Sequence, residues 1–289
     1  MKTSEIFNSE RNIEQKLRKQ KALIPLVTLL MAAALCSGIG LCMQGFKNGF
    51  YWTVIPAGIL LHSFFIVVVH DGAHKAITRT KFDRLIMNLG AGLMLLPFYA
   101  EPFRKYHLIH HAHTNSEQDP LWPDFKKKLY LEKRWLYLLC ELIPLGFTFV
   151  VLLSGKQKET ASSQNKPVNQ PAINVSYILL TSLVSIVVYL LVQPPLWFIA
   201  GTLLSVNSVK LLRHWCEHMG TESGKESNTY WFPLGMGIGN HEAHHELPHY
   251  SWLTMMLGLY SRQKSTNPFK AAYLILFNRS FLHYRELKK

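Results

Sequence analysis

Three stretches of the chain carry no Asp, Glu, Lys or Arg: residues 22–46, 48–69 and 167–209. An apolar run of about 20 residues is long enough to cross a bilayer as a helix. Soluble proteins also bury apolar helices, but charge-free runs of this length point to lipid. The first two runs predict spans over about 22–44 and 50–69, with a turn at Lys47. The third is too long for one helix. Gln193-Pro194-Pro195 interrupts it, because proline donates no backbone hydrogen bond and restrains the residue before it. Spans over about 173–192 and 195–212 follow. The expected fold class is an all-α membrane protein with four transmembrane helices in two hairpins.

Two shorter apolar stretches, 85–99 and 135–153, complicate the count. The first is short for a span. The second contains Glu141 and Pro144 and runs into a hydrophilic loop, 154–171. Both are read as re-entrant or interfacial segments. The organisation is then a cytoplasmic N-terminal segment (1–21), one membrane domain (22–260) and a basic cytoplasmic C-terminal tail (261–289). The first 21 residues are polar and charged, unlike a secretory signal.

Net charge is +13. On a soluble protein this would raise nucleic acid as a partner. Here the bases flank the apolar runs: Lys16, Arg18, Lys19 and Lys21 before the first, Lys210 and Arg213 after the last, and Lys126, Lys127, Lys128, Lys133 and Arg134 between them. Such flanking charge marks a cytoplasmic face, so anionic headgroups and acidic partner proteins replace nucleic acid as the expected recipients. The four cysteines form no C-x-x-C pair and are read as apolar-site residues.

The candidate chemistry lies in the histidines. Of 14, twelve fall in four groups: His70 and His74; His107, His110, His111 and His113; His214 and His218; His241, His244, His245 and His249. The i, i+4 and i, i+3, i+4 spacings put the imidazoles of each group on one helix face. The first and third groups sit just past the inner ends of predicted spans, which would bring them to one level above the membrane. Neutral imidazole is the commonest side-chain ligand for a transition metal. Eight or nine rings would crowd one ion, so two ions are expected, and an iron pair fits better than zinc, which needs only three or four ligands. His113 and His249 lie outside the triplets and are assigned supporting roles. His62 and His283 are read as isolated polar residues.

His241-Glu242-x-x-His245 also matches H-E-x-x-H, the zinc-protease motif in which the glutamate is the base. A membrane zinc metalloprotease would leave His70, His74, His107, His110, His111, His214 and His218 without a role, and it lacks an evident third ligand. A ferritin-type di-iron bundle needs two Glu-x-x-His motifs, and only Glu242-x-x-His245 is evident.

"HDGAH" (70–74), "HLIHH" (107–111) and "HEAHH" (241–245) resemble, in order and placement, the three histidine boxes of the integral-membrane fatty-acid desaturase and hydroxylase superfamily. "RHWCEHMG" (213–220) is similar to that superfamily's extra histidine upstream of the third box. The resemblance covers roughly residues 50–260. It implies a non-haem centre of two irons, O2 as co-substrate, a lipid or acyl-chain substrate and a separate electron donor such as a ferredoxin-like acidic carrier. The ligands it implies are His70, His74, His107, His110, His111, His218, His241, His244 and His245. His214 is a tenth ligand or a supporting group, and Asp71, Glu217 and Glu242, each beside a ligand, are expected to orient imidazoles. The implied activity is fatty-acyl desaturation, with carotenoid or lipid hydroxylation or ketolation as the alternative from the same superfamily. Ser251 stands where the superfamily often has a second proline. Gly90 and Gly92 are expected to permit close helix contacts beneath the centre.

Overall fold

The computed structural model describes residues 8–19, 22–116, 118–121, 124–143, 171–219, 221, 226–259, 264 and 266–278. Among these there is no β-strand, only two isolated bridges, Thr229 to Asn240 and Tyr230 to Thr266. The first two predicted spans are α2, Leu23–Lys47, and α3, Tyr51–Ala73. They pack as a hairpin. The break at the proline pair is real: α8, Val175–Val192, ends with Gln193 in the left-handed region, and α9, Leu196–His218, starts after Pro195. The Asn174 side chain caps α8 by accepting from Ser176 N at 2.9 Å.

Three helices, α2, α3 and α8, are long and apolar enough to cross a membrane. The predicted fourth span falls within α9. That helix continues past residue 212 without interruption and carries Arg213, Glu217 and His218 in its last two turns. Its charges keep it below the composition of the other three. It packs along α3, with Ser205 Oγ donating to Ile55 O at 3.0 Å.

The stretch 85–99 forms α4, Phe82–Leu93, followed by turns. Twelve residues of helix extend about 18 Å, short of a bilayer core. Its glycines bring it against two neighbours. A Cβ on Gly90 would lie 2.5 Å from Val68 of α3, and one on Gly92 would lie 2.6 Å from Val184 of α8. The close approach lets Asn88 accept from Thr181 Oγ1 at 2.9 Å. α5, Ala100–His113, is tied to the same pair of helices by the buried Glu101. Glu101 accepts from Arg84 Nε at 2.8 Å, from Asn88 Nδ2 at 3.1 Å and from Asn174 N at 2.8 Å.

The stretch 135–153 begins as α7, Arg134–Leu142, after α6, Asp124–Glu132. Residues 144–153, the loop 154–170 and the end of the tail from 279, with His283, lie outside the described residues. Short helices α10, His241–Glu246, and α11, Trp252–Leu259, follow α9.

Both chain ends do more than their polar composition suggests. α1, Asn8–Lys19, packs on α11. In the segment read as a tail, α12, Pro268–Phe277, buries Ala271 and Ile275 in an apolar cluster with Leu211, Trp215, Tyr130 and Tyr137. Lys126 is likewise no free surface base, since it pairs with Glu141 at 3.0 Å.

Candidate metal centre

Four separate segments deliver the histidines. Just before the first box, α3 widens from α-helical to π-helical over Phe65–His70. Such widened turns recur at functional sites because they rotate the residues after them relative to a regular helix. His74 follows in the turn that ends the helix, its backbone N–H donating to His70 O at 3.3 Å. α5 presents His107, His110 and His111, the last turn of α9 presents His218, and α10 presents His241, His244 and His245.

These rings converge in two groups. His70, His74, His107 and His244 form one; His110, His218, His241 and His245 form the other. Within each group the candidate ligand atoms all lie within 4.8 Å of one another. His111 stands between them. Its Nε2 is 3.3 Å from His107 Nε2 and 3.1 Å from His244 Nε2, and its ring stacks on His245 at 4.3 Å between centroids. The second box therefore faces the same centre as the first and third.

Four nitrogens on the outside of the cluster have partners. His70 Nδ1 lies 3.3 Å from Asp71 Oδ1, and His110 Nδ1 lies 3.0 Å from Asp119 Oδ1. His218 Nδ1 lies 3.4 Å from the Glu226 carbonyl, and His245 Nδ1 lies 3.1 Å from Thr114 Oγ1. A neutral imidazole has one N–H and one lone pair. Where a carboxylate or carbonyl takes the Nδ1 proton, Nε2 keeps a lone pair directed inward. His110 Nε2 and His218 Nε2, both so fixed, face each other at 3.2 Å. Two lone pairs at that distance repel unless a cation lies between them.

Along the cluster, further inner Nε2 pairs lie 3.0 Å apart for His241 and His218, 3.2 Å for His245 and His241, and 3.1 Å for His70 and His244. Nitrogens bound to one transition-metal ion at about 2.1 Å lie roughly 3.0–3.4 Å apart. His74 Nε2 is a further buried nitrogen with no hydrogen-bond partner. The donor set fits two imidazole-bound transition-metal ions.

Protonation favours the same use. Burial, and then the neighbouring imidazoles, hold His107, His241 and His244 well below the ordinary histidine range. His111 is lowered to about 3, by burial first and then by His110. Burial works against ionisation of Asp119, but hydrogen bonds from His110 and from the N–H groups of Asn115 and Leu121 keep it below the usual carboxylate range. It is therefore an anion aimed at an imidazole N–H, the arrangement that fixes tautomer and ring orientation at metal sites.

The carboxylates singled out beside the boxes differ from one another. Asp71 bridges His70 and the backbone of the third-box region, accepting from Trp252 N at 2.6 Å through its other oxygen. Glu217 accepts from Tyr230 OH at 2.8 Å, pairs with Arg213 at 2.6 Å and lies 3.6 Å from His241 Nδ1. Glu242 is half-buried and belongs to neither four-histidine group. His214 is also outside both, with its ring 5.7 Å from that of His218. His62 is no surface residue: it is 2% exposed and accepts from Arg213 Nη1 at 3.1 Å. Asp119 and Thr114 escaped the sequence reading. The signal was available for Asp119, since the outer nitrogen of a metal-bound histidine calls for an acceptor and Asp119 follows the second box closely.

The H-E-x-x-H pair does not stand alone, because His241 and His245 share their group with His110 and His218. The family model for fatty acid desaturases matches residues 48–258. Curated relatives include a sphingolipid delta(4)-desaturase/C4-monooxygenase DES2 of Bos taurus, 25% identical over 213 residues, 69% of this chain. A sphingolipid delta(4)-desaturase DES1 of Mus musculus is 24% identical over 257 residues, 84% of this chain and 75% of its own length. The DES1 of Drosophila melanogaster is 26% identical over 214 residues, 68% of this chain. The chain spans 61% of the length of the bovine relative and 62% of that of the fly relative. No solved structure matches. The family match extends from just before α3 to the end of α11 and takes in all three histidine boxes, so this chain belongs to the fatty acid desaturase family.

Proposed function

We propose that this protein is an O2-dependent membrane oxidoreductase that desaturates the acyl or long-chain part of a lipid at a centre of two irons. The observation that carries the reading is the convergence of nine imidazoles from four segments, with the outer Nδ1 atoms of His70, His110, His218 and His245 held by partners and the Nε2 atoms turned inward. The family match supports the reaction class. His70, His74, His107 and His244 would hold one iron, and His110, His218, His241 and His245 the other, with His111 between. His214 would remain a supporting group. Iron bound there would supply the O2-dependent oxidation that an unactivated C–H bond requires.

The protein's own part is positional. Asp71 and Asp119 hold the His70 and His110 rings by their Nδ1 atoms, and Thr114 does the same for His245. Since all C–H bonds of a long chain react alike, the product is decided by which carbon pair is held beneath the metals. Overall, two hydrogens leave the substrate, two electrons come from an external donor, and O2 is reduced to two waters with two further protons. In this reading α9 is a fourth span, and the boxes and both termini face the cytoplasm. Residues 1–21 and 261–289 flank one membrane domain, and a basic surface including Lys128 and Lys133 receives a ferredoxin-like acidic carrier.

A second reading is lipid hydroxylation by the same centre. It is favoured by the bovine relative, whose name pairs desaturase with C4-monooxygenase. Lipid profiling by mass spectrometry of a host of defined lipid composition separates the two: loss of two hydrogens marks desaturation, gain of one oxygen marks hydroxylation. His110→Ala should abolish either product while leaving membrane insertion intact. Normal turnover by that variant would refute the ligand assignment. No change in any lipid when the intact protein is supplied with reduced donor would refute the reaction class.

A further inference from the structure

α1 buries charge where a docked helix ordinarily buries apolar side chains. Glu10 is 0% exposed and Glu14 2% exposed, one turn apart on the face that meets α11. Burying a carboxylate is costly unless it is paired and hydrogen-bonded. Their partners are not scattered over the protein. Beyond Arg18 on α1 itself, the partners Arg79, Asn240, Ser251 and Thr254 lie on the flanks of the first and third histidine boxes.

Glu14 Oε1 accepts from Arg18 Nε at 2.7 Å and from Arg79 Nη2 at 2.9 Å. Arg18 in turn donates to the carbonyls of Ala76 and Ile77, the loop that leaves His74. Glu14 Oε2 accepts from the Thr254 hydroxyl, and from the N–H and hydroxyl of Ser251 at 3.4 Å, just beyond the third box. Glu10 accepts from Asn240 Nδ2 at 3.0 Å, directly before His241. The fit is close: a Cβ on Gly258 would lie 2.7 Å from Glu10 Oε1. Asp71, accepting from Trp252 N, joins the same two box regions from within.

We infer that α1 is a clasp, with Glu14 as a positioning residue that holds the exit of the first box against the flank of the third, so that His70, His74 and His244 meet around one ion. This rests on reading the centre as an iron site. The test uses the full chain, purified in detergent and loaded with iron. It follows iron per chain, the rate of iron release to a chelator and the unfolding temperature of the metal-free protein.

Glu14→Ala should release iron at least about tenfold faster, as loss of a group supporting metal ligands does elsewhere. Glu14→Gln keeps an acceptor for Thr254 but loses the charge facing Arg18 and Arg79, and should fall between Glu14→Ala and the parent. Arg79→Gln should show a smaller acceleration in the same direction, and it serves if Glu14→Ala does not fold. Arg11→Ala and Gln15→Ala, on the exposed face of α1, should match the parent. Glu14→Gln should lower the unfolding temperature of the iron-loaded protein further than that of the metal-free protein, a difference a purely structural role would not give. Iron release at the parental rate from both Glu14→Gln and Arg79→Gln overturns the clasp. So does a metal-free unfolding temperature that falls as far as that of the iron-loaded protein. A parent that binds no iron refutes the iron reading itself, and the clasp falls with it.

Discussion

α2 and α3 are neighbours in one hairpin with nearly the same hydropathy, yet only 11% of the apolar window of α2 is buried in the protein, against 61% for α3. Leu26, Leu29, Leu30 and Leu41 of α2 face outward, while Phe64, Ile66, Val67 and Val69 of α3 lie in the core. Apolar side chains are at home both in lipid and in a protein interior, so hydropathy alone does not separate the two. The difference marks a division of labour. α2 turns an apolar face away from the protein, and its buried Thr28 accepts from Trp252 Nε1 at 3.0 Å. α3 has α2, α4 and α9 packed around it and carries His70, with His74 in the turn that ends it.

The comparison can be broken most severely at the end of α3. His70→Ala, or His244→Ala opposite it, should eliminate bound iron from that group and abolish product, as read by iron content and lipid profiling. Retention of full iron by either would dissolve the distinction between a ligand-bearing and a lipid-facing helix.

A second test uses protons. In the metal-free protein His111 stays neutral down to about 3, whereas in the unfolded chain it takes up a proton near the ordinary 6.5. The unfolded state therefore binds more protons between these values, and stability must fall as pH drops from 6.5 towards 3. His107 and His244 add in the same direction. Bound metal, which requires neutral imidazoles, should shift the loss to lower pH. Unfolding temperatures that are flat across this window would contradict the buried neutral cluster.

A third sharpens the role of the supporting carboxylates. Asp119→Asn should weaken iron binding by about 10–100-fold while leaving the helices intact, measured by chelator competition and circular dichroism. An unchanged affinity would mean that the His110 ring is held by packing alone.

The smallest effects contrast α3 and α2 directly. Ile66→Val, at a side chain 1% exposed, should cost about 0.5–1.5 kcal/mol of stability. Leu29→Val, on the outward face of α2, should stay within about 0.5 kcal/mol. Equal losses in denaturant unfolding would show that α2 packs against protein as α3 does.

What could be read along the chain was local. The apolar runs marked α2, α3 and α8, because a bilayer sets a length for any segment that crosses it. Gln193-Pro194-Pro195 marked the break before α9, because two successive prolines remove two backbone donors and restrain the residue before them. The i, i+3, i+4 spacing placed His107, His110 and His111 on one face, because helical periodicity is a property of neighbours. Which imidazoles from different segments come together in one group was decided only in three dimensions. His107 joins His70 and His74 while its neighbour His110 joins His218, and adjacent His244 and His245 part in the same way. The widened turn before His70 and the carboxylates of α1 against Asn240, Ser251 and Thr254 belong to that second class. Each depends on partners tens to hundreds of residues away or on how helices settle against one another, and no periodicity in one segment encodes that.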